Sequence, residues 1–174
     1  MKALIKDIII ALVIVLIITA IVKPTIVRES SMEPTLYDGN YVLVNKMAYK
    51  FGKVHRGDII VFHSDMKAED GNGDSNGNKL LIKRIIAIPG DTIKIEGGKV
   101  YLNGELQEED YIAPGGTPGE VDETTVPEGK LFVMGDHRLV SIDSRLDEVG
   151  LVDQDRVIGD AFVRLWPLSE ICLL

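Results

Sequence analysis

Leu81-Ile82-Lys83-Arg84-Ile85-Ile86-Ala87-Ile88-Pro89-Gly90-Asp91-Thr92-Ile93-Lys94-Ile95-Glu96-Gly97-Gly98-Lys99-Val100-Tyr101-Leu102 holds three short runs rich in apolar and β-branched residues, cut by two turn signals. Pro89-Gly90-Asp91 stops the first run, and Gly97-Gly98 supplies the positive-φ residues that a tight hairpin demands. The stretch therefore reads as strands Leu81–Ile88, Thr92–Glu96 and Lys99–Leu102, with Asn103-Gly104 as a further turn. Working outward, Tyr41–Val44, Asp58–Phe62, Leu131–Met134 and Val157–Leu165 repeat the pattern, and past Thr25 no amphipathic stretch exceeds about three helical turns. A mainly β, antiparallel domain is expected. The polar, glycine-rich stretches Asp65–Asn78 and Ala113–Glu128 read as surface loops, and Ser141–Leu151 as a short helix or a loop.

The N-terminus is different in kind. From Ile8 to Val22 every residue but Thr19 is apolar. As helix this run spans roughly 22 Å, and with residues 3–7 it approaches the roughly 30 Å of a bilayer core. Lys2 and Lys6 can reach the interface. A removable secretory signal would need small residues before a cleavage point, and Thr19-Ala20-Ile21-Val22-Lys23-Pro24 has no clean small-x-small site. A retained single transmembrane anchor is expected over residues 1–24, with a separate domain over 25–174. Lys2, Lys6 and the amino terminus face Lys23 and Arg28 across the span, so charge only leans towards a cytoplasmic N-terminus.

Composition removes several classes of function. With 174 residues there is room for one modest domain besides the anchor, and a net charge of −8 argues against a surface that tracks nucleic-acid phosphates. Cys172, the single cysteine, cannot form an intrachain disulfide, and no Cys/His cluster has zinc-site spacing. Neither a metal nor an organic cofactor is expected. Asp70-Gly71-Asn72-Gly73-Asp74-Ser75-Asn76 resembles the opening of a calcium loop, but Ser75 and Leu81 stand where that loop needs Gly and Glu, so a solvated hairpin tip is the better reading.

Chemistry is carried by three blocks. Ser31-Met32-Glu33-Pro34-Thr35-Leu36 directly follows the anchor. Lys83 sits among apolar strand residues, where burial would disfavour its charged form and leave an amine able to take a proton from a serine. The third block is Gly135-Asp136-His137-Arg138-Leu139-Val140-Ser141-Ile142-Asp143-Ser144-Arg145. Taken singly, Ser31 is a turn residue, Lys83 a strand lysine with a solvated tip and Ser141 a helix cap.

In this order, joined by Arg56-Gly57-Asp58-Ile59-Ile60-Val61-Phe62 and followed by Gly150-Leu151-Val152, Val157-Ile158-Gly159 and Trp166-Pro167, the blocks resemble the bacterial type I signal peptidases over nearly the whole chain. That family consists of membrane-bound serine proteases with a Ser-Lys dyad. The resemblance implies an antiparallel β catalytic domain of the signal peptidase type on the outer face of the plasma membrane, removing signal peptides from exported preproteins. It makes Ser31 the nucleophile, Lys83 the general base and Ser141 the hydroxyl that orients the amine, with Asp143 and Arg145 as a structural ion pair beside the site. Arg84, next along the strand, is expected to point to the opposite face and into solvent. Substrate would lie extended between the segment before Ser31 and the one leading to Lys83, with Ala-x-Ala side chains in pockets lined by Val27, Met32, Val42, Val61 and Ile82. Membrane lipid and a secretion translocon are the further partners implied, and the compact single-span form looks Gram-positive.

Two positions depart from the family pattern. His137 replaces an Asn, and Glu29 stands where Ser or Gly completes the oxyanion hole. The hole would then use the Ser31 N–H with Glu29 as the second candidate donor, through its backbone. Three rivals differ in mechanism. A Ser-His-Asp triad would draw on His55, His63 or His137. A self-cleaving Ser-Lys repressor would carry a DNA-binding domain in place of the anchor. A non-catalytic homologue assisting pilus or surface-protein assembly would be expected to lose the dyad.

Overall fold

The computed structural model describes residues 2–68 and 73–174. Asp70, Gly71 and Asn72 of the calcium-like stretch lie outside the described residues. Helix α1, Lys2–Ile21, is long and apolar enough from Leu4 onward to cross a membrane, and none of that stretch is buried by the rest of the chain. Strand β1, Val22–Ile26, follows without a linker and pairs antiparallel with β2, Tyr41–Asn45, from Val22↔Asn45 to Ile26↔Tyr41. The boundary expected at residue 24 therefore falls inside β1. The join is held from β2's side, where the Lys46 N–H donates to the Ile21 carbonyl at 2.9 Å and its ammonium to the Thr19 carbonyl at 3.3 Å.

The single-turn helix α2, Ala48–Phe51, leads to the hairpin of β3, Ile59–Lys67, and β4, Asn78–Ala87. Then come β5, Thr92–Glu96; β6, Lys99–Leu102; β7, Glu105–Leu106; β8, Val121–Thr125; and β9, Lys130–Met134. The chain closes with β10, Val152–Asp153; β11, Val157–Trp166; and β12, Cys172–Leu173. The larger sheet runs β1-β2-β11-β3-β4-β9-β10 with β12 on β11, and the smaller runs β7-β6-β5-β8. Every pairing is antiparallel.

Strand β3 explains the unbroken apolar run of its sequence. Alternate residues of a strand leave on opposite faces, so Ile59 and Val61 pack with Val27, Met32, Leu36 and Val42 while Ile60 and Phe62 pack with Leu81, Ile85 and Leu131. A third cluster, including Ile93, Ile95, Val100 and Leu102, joins the small sheet to Ile86, Phe132 and Met134. Thus β4 and β9 carry one cluster on each face, and β4 delivers Lys83 just before its pairing with β9 begins at Arg84.

Several elements differ from expectation. Asp65–Lys67 and Asn78, read as loop, extend the β3–β4 hairpin. Ala113–Glu128 contains β8, whose Val-Asp-Glu-Thr-Thr sequence is polar because it is an edge strand with mostly exposed side chains. Ser141–Leu151, by contrast, takes the loop alternative of its two readings, a series of turns, one of them closed by Leu146 N–H to the Asp143 carbonyl at 2.9 Å.

Candidate active site

Ser31 begins a run of turns, 31–36, that the core fixes from below. Met32 and Leu36 are fully buried, and the Leu36 N–H donates to the Met32 carbonyl at 2.8 Å. From the other side, the His137 N–H donates to the Ser31 carbonyl at 3.1 Å, tying the first block to the third. The hydroxyl of Ser31 is left facing Lys83, whose Nζ lies 2.8 Å from Ser31 Oγ. Lys83 is 2% exposed and its amine also reaches the Ile82 carbonyl at 3.1 Å.

Burial disfavours the ammonium form, so the Lys83 amine is pushed down to about 8. The carboxylates of Asp143, Glu29 and Asp136 pull the other way, and Lys79 adds to the depression. An amine with that value is substantially neutral just above physiological pH. At hydrogen-bond distance from a buried hydroxyl it can accept that hydroxyl's proton.

Ser141 is close by but bonded differently than expected. Its Oγ accepts from the Gly135 N–H at 3.2 Å, and no hydrogen bond to Lys83 is present among the described residues. The reason is the sharp path of the third block, which turns Gly135 N–H towards both Ser141 Oγ and Asp143 Oδ2, the latter at 3.1 Å. Asp143 is fully buried and pairs with Arg145 at 2.8 Å, while the Arg145 guanidinium also donates to the Arg138 carbonyl at 2.9 Å.

Glu29 needs a larger correction. It has φ 69, in the left-handed region, and its N–H donates to Asp38 Oδ1 at 3.0 Å. That donor is committed to the turn, so it is not aimed at a developing oxyanion. The Glu29 carboxylate instead forms a salt bridge with Lys79. The N–H groups of Ser31 and Ser30 have no acceptor among the described residues.

Arg84 is not solvent-facing. Its guanidinium binds the fully buried Asp136 through two bonds, 2.9 and 2.7 Å, and lies 4.3 Å above the Tyr111 ring. Thr35 Oγ1 donates to the same Asp136 carboxylate at 2.5 Å. Asp136 thus ties the three blocks together, with Thr35 from the first and Arg84 from the second. Burial works against the Arg84 charge, but these bonds to Asp136 raise its affinity for the proton further.

A groove of about 320 Å³ runs from Pro24 to Ser31 on one bank and from Lys79 to Lys83 on the other. Val27, Val61 and Ile82 line it, whereas Met32 and Val42 are completely buried in the cluster beneath. Its β4 bank is a free edge, since β9 pairs with β4 only from Arg84 onward. Two histidines are occupied elsewhere, His63 Nδ1 lying 2.7 Å from Asp74 and His55 3.7 Å from Asp58, while His137 touches Ser31 through its backbone and its buried ring Nδ1 has no hydrogen-bond partner among the described residues. Lys79, Asp38, Asp136 and Thr35 were not singled out by sequence, and only Asp136 and Thr35 lay inside a recognised block.

The family model described as signal peptidase, peptidase S26, matches residues 1–166. Signal peptidase I of Bacillus licheniformis is 37% identical over 177 residues, covering 96% of this chain and 89% of that protein. Signal peptidase IB of Staphylococcus aureus is 34% identical over 170 residues, covering 86% and 81%. A crystal structure of a signal peptidase I from Enterococcus faecalis V583 aligns with a TM-score of 0.49 at 31% identity, over 62% of this chain and 96% of that one.

Proposed function

Because this chain belongs to the S26 signal peptidases, it is a peptidase, and we propose that it removes N-terminal signal peptides from exported preproteins with Ser31 as nucleophile and Lys83 as general base. The observation that carries the dyad is the 2.8 Å contact between Ser31 Oγ and a buried, depressed Lys83 amine. The preprotein lies extended along the free edge of β4, placing small side chains over Val27, Val61 and Ile82. Lys83 takes the hydroxyl proton as Ser31 Oγ bonds to the scissile carbonyl carbon. The Ser31 N–H faces the resulting oxyanion. Collapse of this intermediate breaks the peptide bond, and the Lys83 ammonium returns its proton to the leaving amine. Water, deprotonated by Lys83, then cleaves the acyl ester and regenerates the serine. Ser141 acts as a positioning residue, through Gly135 and the backbone around Ser31. A non-catalytic assembly role does not account for a buried lysine aimed at a serine hydroxyl.

On this reading helix α1, Lys2–Ile21, serves as membrane anchor with its N-terminus in the cytoplasm, and the chain from β1 onward as the extracytoplasmic catalytic domain. External protease on intact cells is expected to remove the C-terminal domain and spare the N-terminus. Purified protein in detergent, given a preprotein with an Ala-x-Ala site, is expected to cleave after the second alanine, and Ser31→Ala and Lys83→Ala to yield no product. Cleavage by Ser31→Ala at the wild-type rate would overturn the assignment.

A further inference from the structure

Glu29 and Lys79 face each other across the groove, one from each bank, and their side chains close it with a salt bridge. Glu29 is held in place by a built turn, with its φ at 69 and its N–H on Asp38. The pair sits at the rim and not on the floor, for the Lys79 and Glu29 side chains are 28% and 54% exposed while Val27 and Val61 beneath are buried.

A peptide added as a strand along β4 alternates its side chains. The two small residues of Ala-x-Ala point to the floor, and the residue between them points out to the rim. We propose that the Glu29–Lys79 pair is the surface this middle residue meets, and that it sets the charge selectivity there. While paired, the two charges cancel, so the rim accepts acidic, neutral and basic residues with little preference. The proposal rests on reading the groove as the peptide site. Arg28 also lines the groove, on the Glu29 bank, and stays unchanged in the comparison below.

The test is a ratio. Two peptides identical but for Ala-Lys-Ala or Ala-Glu-Ala before the scissile bond are cleaved by each enzyme, and the two kcat/KM values are divided. For wild type the ratio is expected within about twofold of one, since exposed ion pairs act at this scale. Glu29→Gln leaves the Lys79 cation alone and should shift the ratio about threefold towards the Glu peptide; Lys79→Met should shift it about as far towards the Lys peptide. The swap Glu29→Lys/Lys79→Glu should return it near the wild-type value, and high salt should shrink both single-variant shifts. Because both peptides meet the same enzyme, losses of catalytic power or folded fraction divide out, and failure of the Ser31 assignment would appear separately in Ser31→Ala. For a variant too slow to assay, the same ratio is read from binding of the two peptides to that variant on a Ser31→Ala background. Unchanged ratios in both single variants, or shifts in the same direction, would overturn the proposal.

Discussion

Gly135 is packed against Ser31 so closely that a Cβ on it would stand 2.3 Å from the Ser31 carbonyl oxygen and 2.4 Å from Ser141 Oγ. Real Cβ atoms do not approach backbone oxygen that closely, so Gly135→Ala must push either the Ser31 segment or the third block aside. A shift of about 1 Å at a reacting group can lower rate on the order of 100-fold. We expect Gly135→Ala to lose cleavage by about that factor while remaining folded by circular dichroism. Adding Ser141→Ala should recover little, because the clash with the Ser31 carbonyl remains.

With Lys83 as the proposed general base, the pH profile of cleavage should rise through about 8 and stay high in alkali, since only the neutral amine accepts the serine proton. Neighbouring charges move the midpoint in opposite directions. Lys79→Met removes a cation that disfavours the ammonium, so the midpoint should rise; Glu29→Gln removes an anion that favours it, so the midpoint should fall. Lys83→Arg should be inactive, because a guanidinium stays protonated. Replacing His55, His63 and His137 together should leave most activity, and loss of activity in that folded variant would point to a histidine base.

Burying Lys83 also opposes folding. Its amine falls from 10.5 to about 8, which at about 1.36 kcal/mol per pH unit is on the order of 3 kcal/mol. Between those two pH values the unfolded chain holds the proton and the folded one does not, so this penalty is full below about 8 and fades as pH rises towards 10.5. Lys83→Met should therefore abolish cleavage yet melt at a higher temperature than wild type at pH 7. The gap should narrow between pH 8 and 10.5, and an equal gap at both ends would show that the buried charge is not its source.

Asp136 is fully enclosed, and Arg84 is its principal counter-charge. Arg84→Met strands a buried carboxylate, which typically costs about 3 to 5 kcal/mol. Urea unfolding should show that loss, and Arg84→Met/Asp136→Asn should regain part of it. Arg84→Lys should rescue poorly, because a lysine cannot reproduce the two-pronged bond.

Much of the site is legible along the chain because it is built from local blocks. Ser31 and Lys83 are each ambiguous alone, and it is the three blocks in order, with the family resemblance they carry, that mark them out. Partners brought from afar are not announced. Alternation correctly sends Arg84 to the face opposite Lys83, but only the fold reveals that Asp136 and Tyr111 cover that face. Glu29 and Lys79 are 50 residues apart, and nothing near either predicts the other. Ser141 lies in an irregular loop, where side-chain direction follows no periodicity. Strand β8 escapes because an edge strand can be polar and still pair.

The passage from Ile21 into β1 has a mechanical meaning. With α1 in a bilayer, the strand that leaves the membrane is itself one bank of the groove, since Pro24, Thr25 and Ile26 line it. The domain is thus mounted on a post and not on a tether. At about 3.3 Å per residue, β1 fixes the working height of the groove above the lipid as a ruler does. On the anchoring proposed above, a preprotein whose signal helix lay in the same bilayer would meet the site at a set depth, and its cleavage position would be measured from the membrane as well as read from the side chains.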